Sequence, residues 1–271
     1  MSAPASAPPL VVPPKPTHRA RTALIALAVT AFTVLTCLPA IGGIDLDLGA
    51  LVRNWDNGAG LLAQFLQPDF SFFPRTVGPM LETLQMAVVG AAAAAVVSVP
   101  LTLWAASPTN PNAPSRVALR AVVNVVRSVP DLVYATLLVA MLGVGALPGV
   151  LTLFLFDLGI IVKLVSEAID SADHAYMEAG RAAGGTQTQI NRTTALPQTW
   201  PLFANQWLYT LELNVRISAI LGIVGAGGIG RLLDERRAFY AYDDVAMIVL
   251  EILVVVILIE VFSHFLRRRL V

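Results

Sequence analysis

The sequence predicts an all-α protein that crosses a membrane six times. Its 271 residues are 56% hydrophobic and only 13% charged, with a mean hydropathy of +0.71. Soluble domains carry about a quarter charged residues, so this composition is typical of a membrane protein. The apolar residues are grouped into long runs separated by shorter polar segments, as expected for helices that each span a bilayer.

The charge balance and the cysteine count exclude several function classes. The formal net charge is zero, so the chain lacks the overall positive field that attracts nucleic acids. Its single cysteine, Cys37, rules out an internal disulfide and a multi-cysteine metal site. The histidines His18, His174 and His264 are far apart in the sequence and indicate no metal centre.

The N-terminal region is predicted to be a tail followed by the first membrane helix. Residues 1–17 are rich in Pro, Ala and Ser and are expected to form a disordered cytoplasmic tail. His18, Arg19 and Arg21 then precede the apolar run Thr22–Ile41, which we interpret as the first span. A cleaved signal peptide is the competing interpretation, although the run is long for one.

The segment after the first span is predicted to lie outside the membrane. Gly42–Pro79 is expected to hold a short interfacial helix near Leu48–Phe65 and an extended lead into the second span. The second span is placed at Met80–Ala106, where the run Ala91–Ala95 favours close helix packing. The predicted organisation therefore has three parts: the tail 1–17, the segment 18–79 with the first span, and a transmembrane core 80–271.

The remaining four spans follow from apolar runs and helix breakers. An arginine-rich stretch with Arg116, Arg120 and Arg127 ends at Pro130, which is expected to break the helix. A Gly/Pro turn separates the third span from the fourth, and polar segments flank the fifth. The third to sixth spans are placed at Asp131–Gly145, Val150–Glu167, Pro201–Val224 and Val245–Phe265.

The distribution of basic residues predicts that both termini are cytoplasmic. With the N-terminus inside, twelve Lys and Arg side chains fall on the cytoplasmic side and five fall outside. The inner set is Lys15, Arg19, Arg21, Arg116, Arg120, Arg127, Lys163, Arg181, Arg192, Arg267, Arg268 and Arg269. The outer set is Arg53, Arg75, Arg231, Arg236 and Arg237. The same orientation places the polar segment after the fourth span in the cytoplasm.

That polar segment, Glu178–Pro197, is predicted to form a helix, a tight glycine turn and a second helix. Small helix formers follow Glu178, the helix breaks at Gly184-Gly185, and a second helical piece begins at Thr186. Pro197 suits the first turn of the next helix better than the interior of this one. The pattern alone leaves an ordinary connecting loop open as the alternative.

The spacing within the segment resembles a motif in the membrane subunits of bacterial ABC importers. In that family a cytoplasmic loop carries Glu-Ala-Ala, three residues, Gly, nine residues and Ile-x-Leu-Pro. Here Glu178-Ala179-Gly180, Gly184 and Thr194-Ala195-Leu196-Pro197 keep that spacing. Gly180 stands for the second alanine and Thr194 for the isoleucine. The wider stretch Val129–Leu233, with SEAIDSADHAYMEAGRAAGGTQTQ, is similar to the permeases of phosphonate and phosphite importers.

The resemblance implies a type I permease fold and a homodimer that encloses the translocation path. It also implies an external solute-binding protein, a phosphonate, phosphite or related oxyanion as substrate, and a separate ATPase that binds ATP and Mg and docks on the coupling loop 168–200. The sequence contains no G-x-x-x-x-G-K-S/T motif, so this chain is not expected to be the nucleotidase or to hold a cofactor. The residues assigned to ATPase coupling are Glu178, Ala179, Gly180, Arg181 and Gly184.

Charged side chains within the predicted spans mark candidate path residues. Intramembrane charges tend to face a cavity, a partner or a pathway, and Glu212, Asn214 and Arg216 lie in the fifth span. Glu212 and Arg216 either pair on one helix face or leave Arg216 to meet an anionic substrate. Lys163 and Glu167 are expected to form a structural i,i+4 pair. Two acids of the sixth span are expected to turn inward or stay protonated: Glu251 and Glu260.

The glycine run Gly225–Gly230 fits the dinucleotide-binding pattern G-x-G-x-x-G. Taken alone, it suggests a membrane-bound dehydrogenase. The context argues against this, because the pattern needs a preceding strand and a βαβ unit, whereas a predicted membrane span precedes it here. We interpret the run as a flexible end of the fifth helix that gates the path, with four gating glycines: Gly225, Gly227, Gly228 and Gly230.

Two other transport functions remain open from the sequence. One is the permease of a different binding-protein-dependent importer, for phosphate or an amino acid. The other is a stand-alone secondary transporter, which would need no ATPase and would move its substrate down an ion gradient.

Overall fold

The computed structural model describes residues 19–36, 47 and 49–270, and these residues form helices and no β-strand. The all-α prediction is therefore confirmed. The chain divides into two compact units, with the division between Ala59 and Gly60. The predicted part boundaries after residues 17 and 79 stay predictions.

The first unit contains two described helices and the start of a third. α1 is Arg19–Thr36, α2 is Gly49–Arg53, and α3, Trp55–Phe65, continues across the division. Asp47 pairs with Arg53 and so stabilises the short α2. α1 begins slightly before the predicted first span. The end of that span, Cys37 and the proline-rich tail lie outside the described residues.

The second unit begins with a long helix, α4, at Phe73–Ala105. A 3₁₀ turn at Phe70–Phe72 leads into it, capped by Asp69, which accepts a hydrogen bond from the Ser71 N–H at 2.8 Å. Hydrogen bonds from the Ser71 hydroxyl and N–H lower the pKa of Asp69 from its ordinary value. The predicted extended lead into this span is wrong, because Pro74 occupies the first turn of a helix, where proline is tolerated.

The later spans recur as helices close to their predicted positions: the fourth, fifth and sixth are longer than expected by about one to two turns, and the third ends three residues early, at Leu142. Their ends are set by local capping; Asn112, for example, caps the helix after α4 by accepting from the Ser115 N–H at 3.2 Å. The remaining helices are α5 Ala113–Ser128, α6 Asp131–Leu142, α7 Ala146–Ser171, α8 Ala175–Ala182, α9 Gln187–Ile190, α10 Leu196–Ile223, α11 Gly228–Ala238 and α12 Tyr242–Leu270.

The number of membrane crossings depends on how two bent stretches are counted. Among the described residues, three helical stretches are long and apolar enough to cross by themselves: Phe70–Ala105, Ala146–Ser171 and Tyr242–Arg268. α5 and α6 form a further pair bent by 85°, and Gln187–Ile223 forms another with α11, bent by 44°. Counting each bent pair as one span gives five. The apolar part of α1 is shorter than a span, so the prediction of six stays unconfirmed.

α4, α7 and α10 form the centre of the second unit. Gly90 of α4 faces Leu153 of α7, and a Cβ added at residue 90 would lie 2.9 Å from the Leu153 Cβ. Ala87, Ala91 and Ala94 of α4 are fully buried. Small residues let membrane helices approach closely, as the alanine run of this span predicted.

The connecting segments gather at two opposite ends of this bundle. At the start of α7, the Gly145 N–H donates to Gly225 O at 3.0 Å, and we call this the glycine end. At the finish of α7, the Ser107 N–H donates to Asp170 Oδ1 at 2.6 Å. The polar segment between α7 and α10 lies at that second end, which we call the hairpin end.

Candidate functional site

The polar segment folds as a two-helix hairpin, formed by α8 and α9 and called the hairpin below. α8 ends in a Schellman turn, in which the Gly185 N–H donates to Gly180 O at 3.1 Å. Gly184 has φ +78°, a left-handed conformation that glycine adopts without a Cβ penalty. Thr186 and Gln189 then form a capping box that begins α9. The predicted helix, glycine turn and helix are confirmed.

Gly180, which replaces an alanine of the resembled motif, lies where the two helices of the hairpin touch. A Cβ added at residue 180 would lie 3.2 Å from Cγ1 of Ile190, which is buried. An alanine would therefore push Ile190 away by a few tenths of an ångström. Glycine at this position lets α9 pack closely against α8.

The outer face of α8 is exposed and consists mostly of small side chains. Ala179, Ala182 and Ala183 are exposed, and Tyr176 is 65% exposed. Glu178 is also exposed, and no described residue donates a hydrogen bond to its carboxylate. Small side chains around an aromatic ring allow a partner's backbone to approach closely. The predicted ATPase contacts of this face stay predictions.

Three side chains tie the hairpin to the α4–α5 loop. Arg181 Nη2 and Gln187 Nε2 donate to Pro108 O at 2.8 and 3.0 Å. Asn191 Nδ2 donates to Thr109 O at 2.8 Å. Arg181 is predicted to contact a partner ATPase, and the structure shows that its guanidinium also donates to a carbonyl of its own chain. The ATPase contact stays a prediction.

The α4–α5 loop is fixed in turn to the ends of three long helices. Asp170, in the last turn of α7, accepts from the Ser107 N–H at 2.6 Å and from Arg120 Nη2 at 2.5 Å. Arg120 Nε also donates to Ala105 O at 2.7 Å, which satisfies a carbonyl at the end of α4. The hairpin is thus connected through polar contacts to α4, α5 and α7.

A buried polar pair lies where α4, α7 and α10 meet. Asn214 Nδ2 donates to Asp157 Oδ2 at 2.7 Å and, less closely, to Ala87 O at 3.3 Å. The Asp157 and Asn214 side chains are both 0% exposed. Within the described part of the chain, the two Oδ1 atoms have no hydrogen-bond partner. The structure therefore places Asn214, predicted as a path residue, in a contact between three helices.

Glu212 pairs with another helix and not with its own. Arg267 Nη2 of α12 donates to Glu212 Oε1 at 2.7 Å, so the alternative pair of Glu212 with Arg216 is not formed. Arg216 is exposed, and none of the residues that the structure describes accepts a hydrogen bond from it. Its predicted role in the path stays a prediction.

The other intramembrane charges divide into confirmed and corrected predictions. Lys163 and Glu167 form the predicted i,i+4 ion pair. Glu251 turns inward as expected and is buried. Glu260 does not turn inward but is exposed, because nine residues along a helix with 3.6 residues per turn put it on the face opposite Glu251. The other expectation for Glu260, a protonated carboxyl, stays a prediction.

The glycine run forms a packed turn at the glycine end. The Ile229 N–H donates to Thr83 Oγ1 at 2.8 Å, and a Cβ added at Gly222 would lie 2.5 Å from the Gly230 Cα. A long helix precedes the run, so the strand that a dinucleotide site requires is missing there. The gating role stays a prediction, although the turn is packed and not free. Three of the glycines are left-handed: Gly225 (φ +94°), Gly227 (φ +82°) and Gly228 (φ +67°).

Two features of the spans were not predicted from the sequence. Asp157 was available as a signal, since it is the one charged residue in the apolar run 150–162, but it was not singled out. Arg127 was counted as a cytoplasmic flank, whereas its stem packs on Gly159 at the midpoint of α7. The bend between α5 and α6 places it there, and no local pattern reveals that bend's direction.

The comparison with known families identifies the class of this protein. Residues 98–271 match the family described as "Binding-protein-dependent transport system inner membrane component". The match includes the hairpin and every helix from α5 onward. The chain belongs to this family and is a multi-pass membrane transport component, the permease of a binding-protein-dependent ABC importer.

Individual relatives agree with this assignment. The phosphite transport system permease protein PtxC of Stutzerimonas stutzeri is 40% identical over 223 residues, which cover 82% of this chain and 81% of that protein. The phosphate-import permease protein PhnE of Mycolicibacterium smegmatis is 37% identical over 83% of this chain, but the match spans only 42% of that longer protein.

A solved structure confirms the fold. A chain of the MetNI methionine ABC transporter, in an inward-facing conformation, is similar with a TM-score of 0.66 and 25% identity. The similarity covers 75% of this chain and 99% of that one. The predicted ABC importer permease fold is therefore confirmed.

Proposed function

We propose that this permease imports a phosphorus oxyanion: phosphite, a phosphonate or phosphate. The names of the phosphite and phosphate-import relatives, at 40% and 37% identity over more than four-fifths of the chain, support this substrate class. Relatives named for glycine betaine, carnitine and choline or for D-methionine match at 33% and 32% identity over 55% and 54% of the chain. Phosphorus oxyanions are favoured by both identity and coverage.

A separate ATPase would drive import by docking on the hairpin. The exposed small-residue face of α8 around Tyr176 carries this proposal, because nothing in the described chain covers it. ATP and Mg would be held by that partner and not by the permease. Movement of the docked hairpin would reach the α4–α5 loop through Arg181, Gln187 and Asn191.

The proposal fixes an orientation and two further partners. The hairpin end would face the cytoplasm, with both termini on that side, and the glycine end would face a solute-binding protein outside. A second copy of the permease would complete the translocation path.

One face of α10 is suited to line that path. Tyr209, Leu213, Arg216, Ile220 and Ile223 are spaced alternately by four and three residues, which places them on one side of the helix. All except the half-buried Leu213 are exposed. Arg216 would give this face a positive charge toward an anionic substrate.

Reconstitution of the permease with its ATPase and binding protein in proteoliposomes tests the proposal. The readouts are ATP-dependent uptake of radiolabelled phosphite, phosphite-stimulated ATP turnover, and retention of the ATPase in a pull-down. Glu178→Arg and Ala179→Trp alter the exposed face of α8 without touching the Gly180–Ile190 contact. Both variants are expected to lose ATPase retention and phosphite-stimulated ATP turnover.

Ala238→Trp is the matched control, because Ala238 is also exposed on a helix but lies in α11, toward the glycine end. It is expected to retain the ATPase in the pull-down like the wild type. Normal ATPase retention and turnover in Ala179→Trp would contradict the coupling role of α8. Phosphite uptake driven by an ion gradient without ATP would favour a stand-alone secondary transporter.

A further inference from the structure

A cavity of about 250 Å³ opens at the bend between α5 and α6. One water molecule requires only about 10–15 Å³, so the cavity has room for a small polyatomic ion. Its walls are largely apolar and come from the bend itself and from α7. Three of the lining side chains are polar: Arg127, Asp131 and Tyr134.

Arg127 lies at mid-depth along the bundle, where its stem packs on α7 and the residue as a whole is exposed. A Cβ added at Gly159 would lie 2.6 Å from the Arg127 Cγ, so this glycine makes room for the arginine stem. Gly159 is at the midpoint of α7, a helix long and apolar enough to cross the membrane by itself. An arginine at such a depth is costly unless it faces a partner or a polar pathway. Packing alone does not account for it.

The charged groups in the cavity have unused hydrogen-bonding capacity. Within the ranges that the structure describes, Arg127 forms no ion pair and its guanidinium donates no hydrogen bond. The Asp131 carboxylate accepts only from the Leu132 N–H, through Oδ1 at 3.0 Å, which leaves Oδ2 available. The Tyr134 hydroxyl is occupied, because it donates to Val126 O at 3.0 Å. A cationic donor and a carboxylate acceptor therefore share one cavity without pairing with each other.

We propose that this cavity binds the transported anion in its singly protonated form. The inference rests on the proposed function and deepens it. Near neutral pH, phosphite, phosphonates and phosphate all populate a form with charged P–O⁻ oxygens and one P–OH group. Arg127 donates to the charged oxygens, in the planar geometry that suits an oxyanion, and Asp131 Oδ2 accepts from the P–OH.

Asp131 gives the cavity selectivity against sulfate. Sulfate is similar in size, but at neutral pH it carries two negative charges and no proton, so it has nothing to donate. Its oxygens would be repelled by the Asp131 carboxylate, and a repulsive contact of this kind rejects a competing ligand. Asp131 is thus a specificity residue, and Arg127 supplies the attraction.

Binding of radiolabelled phosphite to the permease–ATPase complex in lipid nanodiscs, without the binding protein, tests the site. Arg127→Met is expected to weaken phosphite binding about tenfold or more, because a charge-assisted, two-point contact is lost. Arg127→Lys keeps the positive charge but lacks the two parallel N–H donors of the guanidinium, so its affinity for phosphite should lie between those of the wild type and Arg127→Met. Asp131→Asn is expected to weaken phosphite binding and to let unlabelled sulfate compete for the site. Arg268→Met, at an exposed arginine of α12, is the control and should bind like the wild type.

Assembly and basal ATP turnover are measured for each variant, so that a misfolded Arg127→Met is recognised. In that case, the phosphite affinity of Arg127→Lys tests whether Arg127 binds the anion. Any of three results would overturn the site. The first is a wild type that binds no phosphite. The second is phosphite binding by both Arg127 variants that is as tight as that of the wild type, and the third is continued exclusion of sulfate by Asp131→Asn. ATP-dependent phosphite uptake by wild type is measured in parallel. Its absence would refute the proposed function, whereas normal uptake with an unaffected Arg127→Met would refute this site alone.

Discussion

The buried pair of Asp157 and Asn214 provides a quantitative test of how the bundle is held together. Asn214→Leu removes both hydrogen bonds of the amide, to Asp157 Oδ2 and to Ala87 O, and replaces it with an apolar side chain of similar volume. Asp157 then has no hydrogen-bond partner among the described residues, although it is 0% exposed.

The expected cost follows from these contacts. Hydrogen bonds between membrane helices contribute about 0.6 kcal/mol each on average, and about 1.7 kcal/mol at most. A buried polar group left without a partner adds about 1–3 kcal/mol. Asn214→Leu should therefore lower the free energy of unfolding by about 2–4 kcal/mol. Asp157→Leu should cost less, because Asn214 keeps its bond to Ala87.

A double-mutant cycle isolates the interaction. The free energy of unfolding of purified permease is measured in detergent for wild type, the two single variants, and the double variant Asp157→Leu with Asn214→Leu. The double variant leaves no orphaned group, so its loss should be smaller than the sum of the single losses by about 1 kcal/mol or more. Strictly additive losses would show that the two side chains do not depend on each other and would refute this account of the pair.

Three further predictions concern backbone and ion-pair contacts. Gly184→Ala should destabilise the permease by about 1–2 kcal/mol in thermal unfolding, because the backbone of residue 184 is left-handed. Gly78→Ala, at a position in α4 with open space around it, is the control and should not destabilise it. Equal effects of the two substitutions would exclude backbone strain at the turn. Gly222→Ala should cost about 1–3 kcal/mol, because its Cβ would lie 2.5 Å from the backbone of α11; a neutral result would show that α11 moves freely away from α10. Glu212→Arg should lower the thermal stability, and adding Arg267→Glu in the same chain should restore part of it, because the swapped charges can pair again. If stability is not restored, the two side chains do not form an ion pair.

Features encoded by neighbouring residues could be predicted from the sequence. The hairpin is the clearest case, because Gly184 and Gly185 end α8 and the Thr186–Gln189 capping box begins α9 within a few positions. The Lys163–Glu167 pair was predictable for the same reason. The apolar runs likewise located most spans to within part of a turn to two turns.

Features that depend on how helices pack could not be predicted in this way. Arg181 finds its acceptor 73 positions away at Pro108, and Glu212 finds Arg267 55 positions away. No periodicity within one helix specifies either partner. The depth of Arg127 depends on the 85° bend between α5 and α6 that follows it. Pro130 predicts that the helix breaks there, but it does not predict the direction in which the chain turns.

The most direct test of the central claim, that an ATPase drives this importer by docking on the outer face of α8, is site-directed cross-linking. In a Cys37→Ser background, which removes the single native cysteine, Ala179→Cys and Ala238→Cys place one thiol in α8 and one in α11. A bifunctional reagent is expected to join residue 179, and not residue 238, to the co-expressed ATPase. Cross-linking through residue 238, or none through residue 179 in a complex that hydrolyses ATP, would contradict it.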